Sequence, residues 1–331
     1  MKARVLVLFC GGTAVMVKNE QGSLEPPSRK KALSSVLSIE PRLFDEVDLQ
    51  VHFISNEDSS NMTSSIWDEM TQTIYNFYEE FDGFVILHGT DTMAFTSSAL
   101  SLSLQGIGKP VVCTGSQIPG ERIDSDVRLN FVNAVHLATQ DISGVMILFG
   151  HSIFHGARVT KTSHTKLEAF SSVNAPLLGT IGRQMQLCPL ASKRHQNSIE
   201  LQLGFDANIG MTSLFPGCSP DFLFLLLSHG VKALILTAYG MGNVSTSYLP
   251  FLKKAQESKI PVIIRTHCLE GTTCMHTYET GRQALSFGVI EAYDMSFEST
   301  VVKLMWALGK KVPYHEMRAF LYTDKVGEIK R

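Results

Sequence analysis

At 331 residues the chain is too long for one minimal core, which favours two lobes or a single large α/β domain. Apolar residues at 44% and charged residues at 18% exclude a disordered chain, and 29 Lys+Arg against 31 Asp+Glu exclude an electrostatic surface built to wrap nucleic acid. A small neutral or zwitterionic substrate fits this balance better.

The first half alternates short aliphatic runs with amphipathic stretches, the pattern of a sheet buried on both faces. Strands are predicted at Arg4–Phe9, Leu49–Ile54, Gly83–His88, Pro110–Thr114 and Gly144–Phe149. Helices near Thr63–Phe81, Met93–Leu104 and Asp126–Thr139 are long enough to cross between parallel strands. From about Leu187 to Gly210 the rhythm is lost, and Lys193 to Ser198 reads as an exposed connection. Strands at Ala233–Thr237 and Pro261–Arg265 follow, with helices near Ser245–Glu257, Thr280–Ser286 and Ser296–Ala307. The expected organisation is α/β: a larger N-terminal catalytic domain over 1–188 with a mainly parallel sheet, a linker over 189–212, and a smaller α/β domain over 213–331. The six cysteines, Cys10, Cys113, Cys188, Cys218, Cys268 and Cys274, have no CxxC spacing and read as reduced cytosolic thiols. The apolar runs Val5–Cys10 and Phe222–Leu227 are too short for a signal core or a membrane span, so a cytoplasmic protein without membrane contact is expected.

Ligands of open α/β sheets bind beyond the carboxyl ends of the strands, so the loops after strands come first. The first strand runs into Cys10-Gly11-Gly12-Thr13, the third into His88-Gly89-Thr90-Asp91-Thr92, and the fourth into Thr114-Gly115-Ser116-Gln117-Ile118-Pro119. Gly11-Gly12 with Thr13 can be a tight turn with a capping residue, or a nucleophile that glycines make approachable. The phosphate-cradle patterns GxGxxG and GxxxxGK[ST] are absent. Gly89-Thr90-Asp91 can be a helix N-terminus with Asp91 against the dipole, or a corner joining hydroxyl, carboxylate and backbone N–H donors for an oxyanion. Lys161, in Arg158-Val159-Thr160-Lys161-Thr162, is either a surface lysine or the base that a threonine nucleophile needs. His88 and His136 are far apart, and His151, His155 and His164 lack metal-ligand spacing with acidic partners. No GxSxG elbow is present, and Cys10 and Cys113 end apolar strands as core residues do. Neither metal nor cofactor is expected.

Taken in order, these segments resemble the bacterial-type L-asparaginases, and within them the cytoplasmic type I branch. Gly11-Gly12-Thr13 is similar to the first signature of that family and Ile86 to Ala94 to the second. Thr114 to Pro119 has the form of the cytoplasmic branch, and Val159 to Thr162 resembles the family's lysine segment. Tyr239 to Asn243 and Thr277 to Gly281 extend the likeness into the second lobe. The resemblance implies hydrolysis of L-asparagine to aspartate and ammonia. Thr13 would attack the side-chain amide to form an acyl-enzyme, and Thr90, Asp91 and Lys161 would relay protons. Gly89 and Thr90 would lie against the substrate, Ser59 and Ser60 in Asp58-Ser59-Ser60-Asn61-Met62 would belong to the substrate clamp, and Ser116 would lie near the side-chain amide. Ser59 would meet the α-carboxylate and Asp91 the α-amino group.

Cys10 and Ala14 replace the family's usual residues on either side of Gly11-Gly12-Thr13. Ser23, in the family's mobile loop at Lys18–Ser28, stands where many relatives carry an activating tyrosine, and Tyr278 is the substitute expected here. The family assembles as dimers paired into tetramers, so Asn243 and Tyr278 would reach a neighbour's site. Thr266 and Cys268 fall in a segment, Arg265-Thr266-His267-Cys268, similar to the family's allosteric asparagine site. Three rivals stand beside asparaginase: a dual asparaginase/glutaminase, an amidotransferase component supplying ammonia for tRNA-dependent glutamine synthesis, and a catalytically impaired asparagine sensor.

Overall fold

The structure, a computed structural model, describes residues 2–330. The chain divides into two compact units, one ending at Leu203 and the other starting at Gly204. The first is built on an eight-stranded sheet. Numbered within that sheet in chain order, its strands are β1 (Arg4–Gly11), β2 (Asp48–Glu57), β3 (Gly83–Leu87), β4 (Pro110–Thr114), β5 (Gly144–Phe149), β6 (Ser152–His155), β7 (Gly179–Ile181) and β8 (Met185–Leu187). Their spatial order is β8-β7-β6-β5-β4-β3-β1-β2. The five strands from β2 to β5 are parallel, as the sequence predicts. Strands β6, β7 and β8 extend the sheet antiparallel. They escape prediction because three or four residues are too few to show a period.

Successive residues of β1 serve opposite faces, as the pleat requires. Val5, Val7 and Phe9 pack with Ala32 and Val36 of helix Arg29–Ser38 and with Phe131 and Val135 of helix Val127–Ala138. Leu6, Leu8 and Cys10 face Met70 and Ile74 of helix Ser64–Asn76 and Leu100 of helix Met93–Ser103. Each large side chain so buried contributes about 1.5–3 kcal/mol, and this double core holds the C-terminal ends of β1, β3 and β4 in one plane. The helix predicted to run to Phe81 ends at Asn76, where Phe77, Tyr78 and Phe81 turn inward into an aromatic cluster with Phe84.

The polar stretch after Leu187 is stitched back onto this unit. Arg194 donates to the carbonyls of Gln140, Ala138 and Asp82, and Glu200–Leu201 pairs antiparallel with Leu104–Gln105. These are partnerships between segments far apart in sequence, invisible to local pattern.

The second unit carries four parallel strands, Ile209–Ser213, Ala233–Ala238, Val262–Thr266 and Ile290–Glu291. The helix predicted at Ser245–Glu257 divides into a 3-10 turn at Thr246–Tyr248 and an α-helix from Leu249, because Pro250 is tolerated only in a first turn. Among the described residues no helix is long and apolar enough to cross a membrane.

Candidate active site

Four loops at the C-terminal ends of β1, β2, β3 and β4 pack backbone against backbone, and glycine makes the contact possible. Gly11 and Gly12 have φ of 93° and 96°, conformations that cost a side-chain-bearing residue. A Cβ on Gly12 would lie 2.5 Å from the Gly89 nitrogen, and one on Gly89 would lie 2.6 Å from Ser59 Oγ. A Cβ on Gly115 would lie 2.2 Å from the His88 carbonyl oxygen. Loops 11–13, 58–61, 88–92 and 114–118 therefore form one floor, which brings Thr13, Ser59, Thr90 and Ser116 into a common region.

On this floor Lys161 makes the central polar contact. It ends the short strand Val159–Lys161, paired antiparallel with Phe170–Ser172 in a hairpin apart from the main sheet. Its Nζ donates to Thr90 Oγ1 at 2.7 Å and to Asp91 Oδ1 at 2.7 Å. The Lys161 side chain is 16% exposed and that of Asp91 67%, so the lysine is enclosed while the carboxylate still meets solvent. The surface-lysine alternative is thereby removed.

Thr90 in turn donates to Gln117 Oε1 at 3.1 Å, and Gln117 Nε2 donates to the carbonyls of Ser163 and Lys166. Sequence reasoning places Gln117 within its motif without giving it a role; its position next to Ser116 is the available signal. Asp126 and Asn130 escape it as well. Asp126 accepts the N–H groups of Gln117 and Ile118, and Asn130 Nδ2 donates to the Gly115 carbonyl, so the N-terminus of helix Val127–Ala138 fixes the Ser116 loop. Ser116 is 1% exposed, and its hydroxyl has no hydrogen-bond partner among the described residues. Such a group is costly unless a ligand completes it.

Asp58 caps the 3-10 turn Ser59–Asn61 and accepts the Ser60 N–H at 2.8 Å; its hydrogen bonds to Ser60 hold its carboxyl below the usual range. Ser59 is buried and its carbonyl accepts from Thr92 Oγ1 at 2.8 Å, tying the 58–61 loop to the Thr90 corner, whereas Ser60 is exposed. Thr13 is half-buried, and among the described residues no side-chain hydrogen bond engages its hydroxyl. Ser23 lies in a hairpin turn in which Asn19 Oδ1 accepts the N–H groups of Gln21 and Ser23.

The remaining predicted residues belong to the second unit. Asn243 is half-buried and accepts from Thr280 Oγ1 at 3.4 Å. Tyr278 precedes helix Glu279–Ser286 and is 53% exposed. Thr266 is buried, with Oγ1 accepting the Cys268 N–H at 3.0 Å, and Cys268 is exposed. No cluster of three metal-ligating side chains occurs among the described residues.

The family model described as Asparaginase, N-terminal, matches residues 4–190, and that of the Glutaminase/Asparaginase C-terminal domain matches 208–321. The chain is 34% identical to L-asparaginase 1 of Escherichia coli strain K12, over 99% of this chain and 98% of that protein. It is 30% identical to a Glutamyl-tRNA(Gln) amidotransferase component of Methanosarcina acetivorans, over 98% of this chain and 79% of that protein. Among solved structures, the thermostable L-asparaginase from Thermococcus kodakarensis superposes with a TM-score of 0.91 at 32% identity, covering 99% of each chain. A floor of glycine contacts carrying a threonine, a lysine and an aspartate, on a two-domain α/β fold matched along nearly its whole length, places this chain in the bacterial-type L-asparaginase family of amidohydrolases.

Proposed function

We propose that the chain hydrolyses L-asparagine to L-aspartate and ammonia through Thr13 and an acyl-enzyme. The observation that carries this reading is the lysine held between hydroxyl and carboxylate: Lys161 Nζ lies 2.7 Å from both Thr90 Oγ1 and Asp91 Oδ1, on the floor that Gly12 and Gly89 share with the Thr13 loop. Thr13 Oγ1 attacks the side-chain amide carbon and gives up its proton. The tetrahedral intermediate collapses as the amide nitrogen gains a proton and leaves as ammonia, and an aspartyl ester of Thr13 remains. Water, activated by the Thr90–Lys161 pair, cleaves that ester and restores the hydroxyl.

Asp91, open to solvent on one side, takes the substrate α-amino group, and the Ser59–Ser60 turn takes the α-carboxylate. Ser116, buried without a partner, faces the amide end. Tyr278, half-exposed, and Asn243 are supplied to the site of a second copy in a homodimer or homotetramer, and Thr266 and Cys268 belong to an effector site. A cytoplasmic setting belongs to the same reading.

Ammonia release from L-asparagine and L-glutamine over a concentration series, with Thr13→Ala as control, tests the assignment. Turnover of asparagine lost in Thr13→Ala supports it. One methylene distinguishes the two amides and is worth about 1–3 kcal/mol in a pocket, so comparable kcat/KM values would make the enzyme a dual asparaginase/glutaminase. Binding without turnover would make it a sensor, and a hyperbolic saturation curve would remove the effector site.

A further inference from the structure

Gln117 stands between the floor and the turn that follows Lys161, and its side-chain amide fixes how the Thr90 hydroxyl is turned. The Gln117 backbone N–H is held by the Asp126 carboxylate, so the side chain extends from a fixed base. Its Nε2 lies 3.3 Å from the Ser163 carbonyl oxygen and 3.1 Å from that of Lys166. A carbonyl can only accept, so the amide hydrogens face the turn and Oε1 faces Thr90. Thr90 Oγ1 lies 3.1 Å from Oε1, which also only accepts, so the single hydroxyl hydrogen of Thr90 goes to Gln117. The two lone pairs of Thr90 Oγ1 are thereby turned away from Gln117. Lys161 Nζ donates to one of them at 2.7 Å, and among the described residues nothing donates to the other.

The same amide joins two elements that lie on different sheets. Val159 and Phe170 root the Lys161 hairpin in the core, but beyond Lys161 the turn 162–168 is largely exposed. Ser163 Oγ accepts the N–H groups of Thr165 and Lys166, closing a compact turn whose Ser163 and Lys166 carbonyls both meet Gln117. We propose that Gln117 is a positioning residue for the second half of the reaction. It keeps the Thr90 hydroxyl an acceptor, with one lone pair on Lys161 and the other presented to the water that cleaves the acyl-enzyme, and it tethers the Lys161 turn to the floor. This deepens the reading of the Thr90–Lys161 pair as the activator of that water and rests on it. Without the amide oxygen the hydroxyl rotates freely and can point its hydrogen at the water, occupying the lone pair that attack on the ester requires.

The test compares wild type with Gln117→Met, which keeps the length and removes the amide, and Gln117→Glu, which keeps an oxygen toward Thr90 but, once ionised, has no hydrogen for the two carbonyls. Ammonia leaves in acylation, before water enters, so a defect confined to the water step has a distinct signature. In ammonia release from L-asparagine, Gln117→Met should lower kcat by about 10²-fold, as a misplaced reacting group does. Its kcat/KM, which reports acylation, should change little, so KM falls with kcat. A rapid-quench trace should show a burst approaching one ammonia per site. Gln117→Glu should recover most of the lost kcat. Amide hydrogen exchange over 162–168 should be about tenfold faster in both variants, the equivalent of one hydrogen bond and a readout independent of turnover. Wild-type kcat in Gln117→Met, a joint fall of kcat and kcat/KM without a burst, or equal losses in the two variants overturns the proposal, as does unchanged exchange in the turn. An inactive wild type with faster exchange in the variants would instead overturn the reading of the site and leave the tether standing.

Discussion

The backbones of Gly12 and Gly89 are in direct contact, so close that a Cβ on Gly12 would lie 2.5 Å from the Gly89 nitrogen and 2.6 Å from its Cα. Gly12 also has φ of 96°, so Gly12→Ala meets both backbone strain and a clash with atoms that cannot rotate away. The variant should lose about 1–3 kcal/mol or more of stability and at least about 10²-fold in kcat/KM, because displacement of the floor by an ångström costs that much. Urea denaturation and steady-state ammonia release measure the two effects. Activity near wild type would show that the Thr13 and Thr90 loops need not touch.

Lys161→Met should leave the fold intact, since the lysine lies in a short hairpin, and should lower kcat by about 10²–10⁴-fold through loss of proton transfer. Asp91→Asn should raise KM for L-asparagine as well, because the substrate ammonium loses its counter-charge. Thr90→Val should abolish ammonia release with the fold preserved. Substantial residual turnover in Thr90→Val would remove that hydroxyl from the mechanism. Circular dichroism beside the kinetics separates loss of chemistry from loss of structure.

The free Ser116 hydroxyl makes a different prediction. Because among the described residues it has no partner to abandon, Ser116→Ala should leave stability within about 1 kcal/mol of wild type, removing a buried polar group that folding alone does not satisfy. It should reduce kcat/KM for asparagine and change the asparagine-to-glutamine ratio. An unchanged ratio would place the amide end of the substrate elsewhere.

In the second unit, Lys303 and Glu328 form a fully buried ion pair at 2.5 Å, and Lys303 Nζ also donates to the carbonyls of Leu321 and Thr323 at 2.8 Å. Burial lowers the Lys303 pKa; for Glu328 burial acts upward, and the charge and hydrogen bond of Lys303, together with hydrogen bonds to Val326 and Asp324, leave the carboxyl below its usual range. Glu328→Gln strands the ammonium and should cost about 3–5 kcal/mol. Replacing the pair by Met and Leu should cost much less than the single change. Chemical denaturation of the three proteins checks this.

His88 adds a pH dependence to stability. Its pKa falls from 6.5 to about 4 on folding because burial penalises the charged ring. Between these values the unfolded chain binds more protons than the folded one, so stability rises with pH across that window. The contribution is complete above about 6.5 and is lost as pH falls through 4, an effect on the order of 3 kcal/mol. Denaturation midpoints between pH 7 and 4.5 should therefore fall more steeply in wild type than in His88→Asn.

Much of this molecule is local in origin. The parallel strands β1 to β5, the crossover helices and the glycine–hydroxyl loops follow from apolar runs and turn residues along the chain, so Thr13, Thr90, Asp91 and Ser116 could be singled out without a structure. What Lys161 does could not be read from its neighbours. Its partners lie 70 and 71 positions away, so its own residues leave it open between a surface lysine and a base, and only the likeness of Val159 to Thr162 to the family's lysine segment points to the second. The same holds for Gln117, for Asp126 and Asn130, and for the antiparallel strands β6 to β8. His88 shows the division most clearly: the sequence by itself puts an imidazole after β3, but its contact with Thr96 Oγ1, which also accepts from the Trp67 indole, forms only when packing of two helices brings those residues to it. Short-range pattern encodes which backbone forms where, because propensity and periodicity act over a few residues. Hydrogen-bond direction and charge pairing depend on which distant segments meet, and that is settled only when the core closes.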